Sequence, residues 1–162
     1  MPSFSKTLLL ALIFMAALPL LSTNMFLASI GDIATELDTG YANITLALSA
    51  YLIFTALVQI IVGPIADQFG RRPILLISFV IFILASTGAA IAENYISFLI
   101  FRILQGAIAT GLALSRVIVS DIVPPKEAAS MLGYISMAMS FAPILGPTIG
   151  GLLAELAGWR SN

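Results

Sequence analysis

Apolar residues fall along the chain in long uninterrupted blocks, separated by short polar connections. Five such blocks cover residues 7–30, 43–66, 74–92, 96–115 and 128–157. A helix needs about 20 apolar residues to cross the roughly 30 Å of hydrocarbon in a bilayer. Because lipid offers no partner for backbone polar groups, a segment of this kind crosses the membrane as a helix. The pattern therefore predicts an all-α membrane protein with five transmembrane helices.

The first block has a second interpretation, since Lys6 before it resembles the basic start of a secretory signal peptide. Signal peptides have an apolar core of only about 7–15 residues. The block at 7–30 is longer, although Pro19 interrupts it. Its length favours a membrane span.

Composition supports a membrane protein and argues against several other classes. The chain is 60% hydrophobic and 9% charged, whereas a soluble domain has about 25% charged residues. The net charge of −1 gives no basic surface for a nucleic acid. Histidine and cysteine are both absent from the sequence, so the commonest general base and metal ligands are missing. We therefore expect no enzyme activity, no metal site, no cofactor and no nucleic-acid partner.

Charged residues in the connections predict the orientation in the membrane, because Lys and Arg stay on the cytoplasmic side. The positive residues precede the first block or follow the second and fourth blocks: Lys6, Arg71, Arg72, Arg116 and Lys126. The connections after the first and third blocks hold only acids: Asp32, Glu36, Asp38 and Glu93. The amino terminus is therefore predicted to be cytoplasmic and the carboxy terminus external, with Arg160 as the exception.

The connection "GPIADQFGRRPIL" at residues 63–75 concentrates charge between two apolar blocks. Its arginines have a simple interpretation as cytoplasmic anchors, with Gly70 at the turn. That interpretation leaves Asp67 unexplained, since an acid contributes little to topology and needs a partner at the membrane edge. We expect Asp67 and Arg71 to pair with each other or with a charge on a neighbouring helix end, such as Asp121.

Arg102 lies within the fourth block, in "IFRILQGAIA". An unpaired arginine in the middle of a membrane costs at least about 2.5–3.5 kcal/mol, so it must face protein or water. Gln105, Gly106 and Ala109 follow at helical spacing and share its face. This polar and small face suits a cavity or a proton path. The alternative is an arginine near the outer helix end that extends its charge to the membrane surface.

The fifth block is rich in residues that disfavour a regular helix. In "GYISMAMSFAPILGPTIGGLL" the prolines remove backbone donors and the glycines let another backbone approach closely. These residues are Gly133, Pro143, Gly146, Pro147, Gly150 and Gly151. Gly146 and Gly150 form a small-xxx-small pair, which indicates a packing face, a moving hinge, or both.

Taken in order, these motifs resemble the amino-terminal half of a major facilitator superfamily transporter. The chain is most similar to drug:proton antiporters of the bicyclomycin-resistance type. The resemblance assigns three groups of residues. A conformational latch would comprise Gly63, Asp67, Gly70, Arg71, Arg72 and Asp121. A proton or substrate path would comprise Asn24, Arg102 and Gln105. A helix 5 antiporter motif would comprise Gly133, Gly146, Pro147, Gly150 and Gly151.

The resemblance implies a function for the parent protein. It implies proton-coupled efflux of drugs or small metabolites across a bacterial inner membrane, with the bilayer, protons, a small-molecule substrate and a missing carboxy-terminal half as partners. Asn24 departs from the pattern, because such antiporters often carry an ionisable aspartate there. The early end at Asn162 leaves a non-transporting remnant, or a membrane partner of a full-length transporter, as the alternative. An uptake permease is disfavoured by the glycines of the fifth block.

Overall fold

The computed structural model describes residues 6–162, and that part of the chain consists of helices and short connections. The helices are α1 (Lys6–Ala28), α2 (Ile30–Glu36), α3 (Tyr41–Phe69), α4 (Arg71–Ala90), α5 (Tyr95–Gln105), α6 (Ala109–Ile122) and α7 (Pro125–Ala157). A single 3₁₀ turn at Gly106–Ile108 joins α5 to α6, and another at Trp159–Ser161 follows α7.

Five helical segments of the described chain are long and apolar enough to span a membrane. They are Lys6–Ala28, Tyr41–Phe69, Arg71–Ala90, Tyr95–Ile122 and Pro125–Ala157. The predicted all-α fold with five spans is therefore confirmed. Many large apolar side chains on these helices are exposed, such as Ile60 at 73% and Leu156 at 82%. Exposed apolar side chains of this kind suit helices that are surrounded by lipid.

The fourth span continues to Ile122, beyond the end predicted near residue 115. The helix ends there because Pro124 and Pro125 follow. A residue before proline is driven out of the helical region, and Val123, which caps α6, is already extended with φ −127° and ψ 149°. Polar residues at the end of α6, including Asp121, are therefore held on a helix instead of in a loop.

Gly70 alone connects α3 to α4. Its φ of 87° and ψ of 148° lie in a region that only glycine occupies readily. This one-residue connection lets α4 begin directly at Arg71, so Asp67 in the last turn of α3 and Arg71 remain close neighbours.

The most extensive helix pairing joins α1 and α7. Gly146 and Gly150 are buried in this contact: a Cβ added at Gly146 would lie 2.5 Å from the Cβ of Asn24, and one at Gly150 would lie 2.7 Å from the Cα of Met25. A Cβ added at Gly133 or at Gly151 would meet no atom within 4 Å. Two glycines of the fifth block therefore form a packing face against α1 within this chain, as the first of the two interpretations expects.

Candidate functional site

Three charged residues meet where α3, α4 and α6 end or begin. The Arg71 guanidinium forms an ion pair with Asp121 of α6, and its Nη2 lies 3.9 Å from the Oδ1 of Asp67. The Arg71 side chain is 24% exposed, whereas those of Asp121 and Asp67 are 50% and 71% exposed. Arg71 is thus the shared partner of two acids, and we call these three residues the Arg71 cluster.

The two contacts of Arg71 differ in strength. An exposed ion pair contributes little, with measured values of about 0–1 kcal/mol, because water screens it. The longer contact with the well-exposed Asp67 belongs to this class. The direct contact with Asp121 is less exposed and joins two separate helices. Arg71–Asp121 is therefore the more important link of the cluster.

The other residues of the predicted latch form no ion pair with the Arg71 cluster. Gly70 supplies the turn described above. Arg72 is exposed, and no ion pair to it exists among residues 6–162. Gly63 has no atom within 4 Å of an added Cβ, so close packing does not require a glycine there.

Arg102 lies inside the bundle, with 3% of its surface exposed. Its Nη1 donates to the Oε1 of Gln105 at 2.6 Å, and the amide of Gln105 donates to the hydroxyl of Ser86 on α4 at 3.0 Å. The carbon at the centre of its guanidinium lies 4.1 Å from the ring centre of Phe26 and 4.3 Å from that of Tyr51. The side chain therefore faces protein, and the alternative of an arginine extended to the membrane surface does not apply.

The Arg102 charge is incompletely compensated. Within residues 6–162 its Nε and Nη2 have no hydrogen-bond partner, and no acid forms an ion pair with it. Two aromatic faces and one amide oxygen hold the cation, through cation–π attraction and a charged hydrogen bond. A buried charge with unused donors is costly, which indicates a role beyond packing.

Asn24 does not take part in this arrangement. Its side-chain amide donates to the carbonyl of Leu20 at 2.8 Å, and its Cβ lies against Gly146. Two residues correspond to about 200° of rotation around a helix, so Asn24 and Phe26 point to opposite sides of α1. The resemblance groups Asn24 with Arg102 in one path, whereas in the structure α1 meets Arg102 through Phe26.

A second polar cluster lies at the opposite end of the bundle and was not predicted. Glu36 at the end of α2 accepts hydrogen bonds from the indole nitrogen of Trp159 at 2.6 Å and from the Nε of Arg160 at 2.9 Å. Arg160 also donates to the carbonyls of Ala90 and Ala92 at 2.8 and 3.0 Å. The cluster joins the ends of α2, α4 and α7. The only signal of this cluster in the sequence was that Arg160 lies on the side predicted to be external, where positive residues are disfavoured. Its ion pair with Glu36 compensates that charge.

Replacing Glu36 with glutamine should loosen this end of the bundle. The Glu36 and Arg160 side chains are 50% and 33% exposed, so we expect a loss of roughly 1 kcal/mol of stability rather than unfolding. Thermal unfolding of the purified chain in detergent would measure the change. Glu93→Gln is the control, because Glu93 is exposed and forms no ion pair within the described residues. Equal melting temperatures for the two variants would contradict a stabilising role of Glu36.

Apolar spanning helices, a charged residue inside the bundle and a charged cluster at the helix ends are typical of membrane transporters. Comparison with known proteins agrees with this class. The family model described as Major Facilitator Superfamily matches residues 10–162. The chain belongs to that superfamily.

The chain is similar to MFS-type transporters from fungi and bacteria. It is 36% identical to the MFS-type transporter clz19 of Cochliobolus lunatus over 149 residues, which cover 91% of this chain and 28% of that protein. It is 34% identical to the uncharacterized MFS-type transporter YdgK of Bacillus subtilis over 165 residues, 99% of this chain and 41% of that protein. Identity to the MFS antiporter QDR3 of Candida albicans is 26%, over 86% of this chain and 20% of that protein. The chain thus spans well under half the length of these relatives.

Proposed function

We propose that this chain forms five membrane spans of a proton-coupled exporter of drugs or small metabolites, of the bicyclomycin-resistance type. Membership of the superfamily supports transport, and the similar protein QDR3 of Candida albicans is an MFS antiporter. The distribution of Lys and Arg supports a cytoplasmic amino terminus and an external carboxy terminus. On this proposal the protein resides in a bacterial inner membrane.

The contact of Arg71 with both Asp67 and Asp121 carries the proposal. Asp121 lies at the end of one span, and Asp67 and Arg71 lie at the turn between two others. The cluster therefore holds the cytoplasmic ends of three spans together. A set of partly exposed ion pairs can break and reform when helices shift, so it can bias an equilibrium between two transporter states. In this role the cluster is a conformational latch.

Asp121→Asn should reduce export about tenfold, because the lost pair shifts the balance of states by an amount on the order of 1.4 kcal/mol. Asp67→Asn should have a smaller effect, since Asp67 is more exposed and farther from Arg71. Export can be followed in inverted membrane vesicles of the transporter built around this chain. Cationic, neutral and anionic compounds would be supplied under an imposed proton gradient.

The matched control is Glu127→Gln, which removes an acid in the first turn of α7. Glu127 forms no ion pair within the described residues. Membrane insertion should be unchanged in all three variants. Full export by Asp121→Asn would contradict the latch and leave Arg71 and Arg72 only the role of keeping this connection on the cytoplasmic side. Export that ignores the proton gradient would contradict proton coupling, and complete absence of transport would favour the non-transporting remnant.

A further inference from the structure

A cavity of about 200 Å³ lies beside Arg102, between α1, α4, α5 and the final turn of the chain. Its polar lining comprises Ser22, Ser29, Ser86, Arg102, Gln105, Arg160 and Asn162. Four aromatic residues form much of its apolar wall: Phe26, Phe82, Phe98 and Trp159. An apolar pocket with a few converging polar groups is the usual form of a small-molecule site.

The cavity has an excess of positive charge. Arg102 and Arg160 both line it, and no acidic residue does so. Glu36 already pairs with Arg160. Arg102 has no acidic partner within residues 6–162, and its two unpaired nitrogens, Nε and Nη2, are enclosed by protein. One uncompensated cation therefore remains at the wall of this pocket.

We propose that this cavity binds a small monocarboxylate with an apolar body, such as an aromatic acid of one ring. The carboxylate compensates the charge of Arg102 from within the cavity, and the ring packs among the aromatic side chains. Serine hydroxyls at the wall supply further donors. The proposal assigns a substrate class to the exporter proposed above. Binding of the acid is independent of that function, and only its export rests on it.

Charge and size select this class over others. A cationic ligand would meet the uncompensated guanidinium in a poorly screened site, where repulsion between like charges is strong. A dianion would bring more negative charge than the single free cation can compensate. Ligand pockets usually measure about 300–1,000 Å³, so a cavity of about 200 Å³ accepts only a small molecule.

Trp159 makes the proposal directly measurable, because it is the only tryptophan in the chain and it lines the cavity. The purified chain in lipid nanodiscs would be titrated with benzoate, benzamide and benzylamine while the indole fluorescence is recorded. We expect a saturable change in fluorescence with benzoate. Benzamide should bind at least about tenfold more weakly than benzoate, because a charged hydrogen bond is lost. Benzylamine should give no saturable change. Equal affinity for benzoate and benzamide, or a signal that does not saturate, would overturn the proposal.

Variants locate the charge that is responsible. Arg102→Gln should abolish the preference for benzoate over benzamide, and Arg102→Lys should retain part of it. The control is Arg116→Gln, since Arg116 is exposed and lies outside the cavity lining. An unchanged preference in Arg102→Gln would overturn the proposal. Should that variant fail to fold, the three ligands on the unaltered chain decide the matter. If the chain binds benzoate but the transporter exports none of the tested compounds, the proposed function is contradicted and the binding site is not. If the transporter exports compounds but the chain does not bind benzoate, the binding site is contradicted and the proposed function is not.

Discussion

Replacing Gly146 with leucine should prevent α7 from packing against α1. A Cβ at this position would already lie 2.5 Å from the Cβ of Asn24 and 3.5 Å from its backbone. The position of a Cβ is set by the main chain, so a change of rotamer at Asn24 cannot relieve this contact. Membrane helices associate through close packing at small residues. Forcing extra atoms into such a contact costs about 1–3 kcal/mol and sometimes more. We expect at least the upper end of that range, because α1 and α7 form the most extensive pairing of the bundle.

Gly151→Leu is the matched control for this prediction. It lies on the same helix, and an added Cβ there meets no atom within 4 Å. Thermal unfolding in detergent, with the yield of monodisperse protein as a second readout, should show a large loss for Gly146→Leu and little change for Gly151→Leu. Similar melting temperatures would mean that α1 and α7 do not pack as described.

The fold class could be predicted because each step depends on local sequence. Apolar length sets the number of spans, and a bilayer allows only helices for such segments. The ends of the helices were predicted less well. The fourth span continues to Ile122 because Pro124 and Pro125, rather than the polar residues before them, end the helix.

Contacts of the candidate site within one helix or one tight turn could be predicted from the sequence, and Asp121 was expected as a partner of Arg71 from the charges at one membrane edge. Arg102 meets Gln105 three residues later, and Asp67 meets Arg71 four residues later. Contacts between helices depend on how each helix is rotated about its axis, which apolar composition does not determine. Phe26 instead of Asn24 therefore faces Arg102, and Glu36 pairs with Arg160 across more than a hundred residues of sequence.

Replacing Arg102 with methionine should remove export while leaving the chain folded. Methionine fills much of the same space with an apolar side chain, and replacing a buried charge in this way is often neutral for stability. The charge is incompletely paired within the described residues, so little compensating energy is lost with it. If the cation is needed for substrate or proton movement, export should fall roughly 100-fold, equivalent to about 2.7 kcal/mol. Vesicle export and thermal unfolding, measured on the same preparation, separate the two effects.

Arg102→Lys tests whether charge or geometry is required. Lysine retains the positive charge but lacks the planar group that lies over Phe26 and Tyr51 while it donates to Gln105. We expect this variant to keep about a tenth of the export rate, since a charge-assisted hydrogen bond is worth about 1.5–3 kcal/mol and only part of it is lost. Equal loss in the lysine and methionine variants would instead assign Arg102 a contact that only guanidinium can make. Lower melting temperature in both variants, in parallel with lost export, would reduce Arg102 to a structural residue that holds α1, α3 and α5 together.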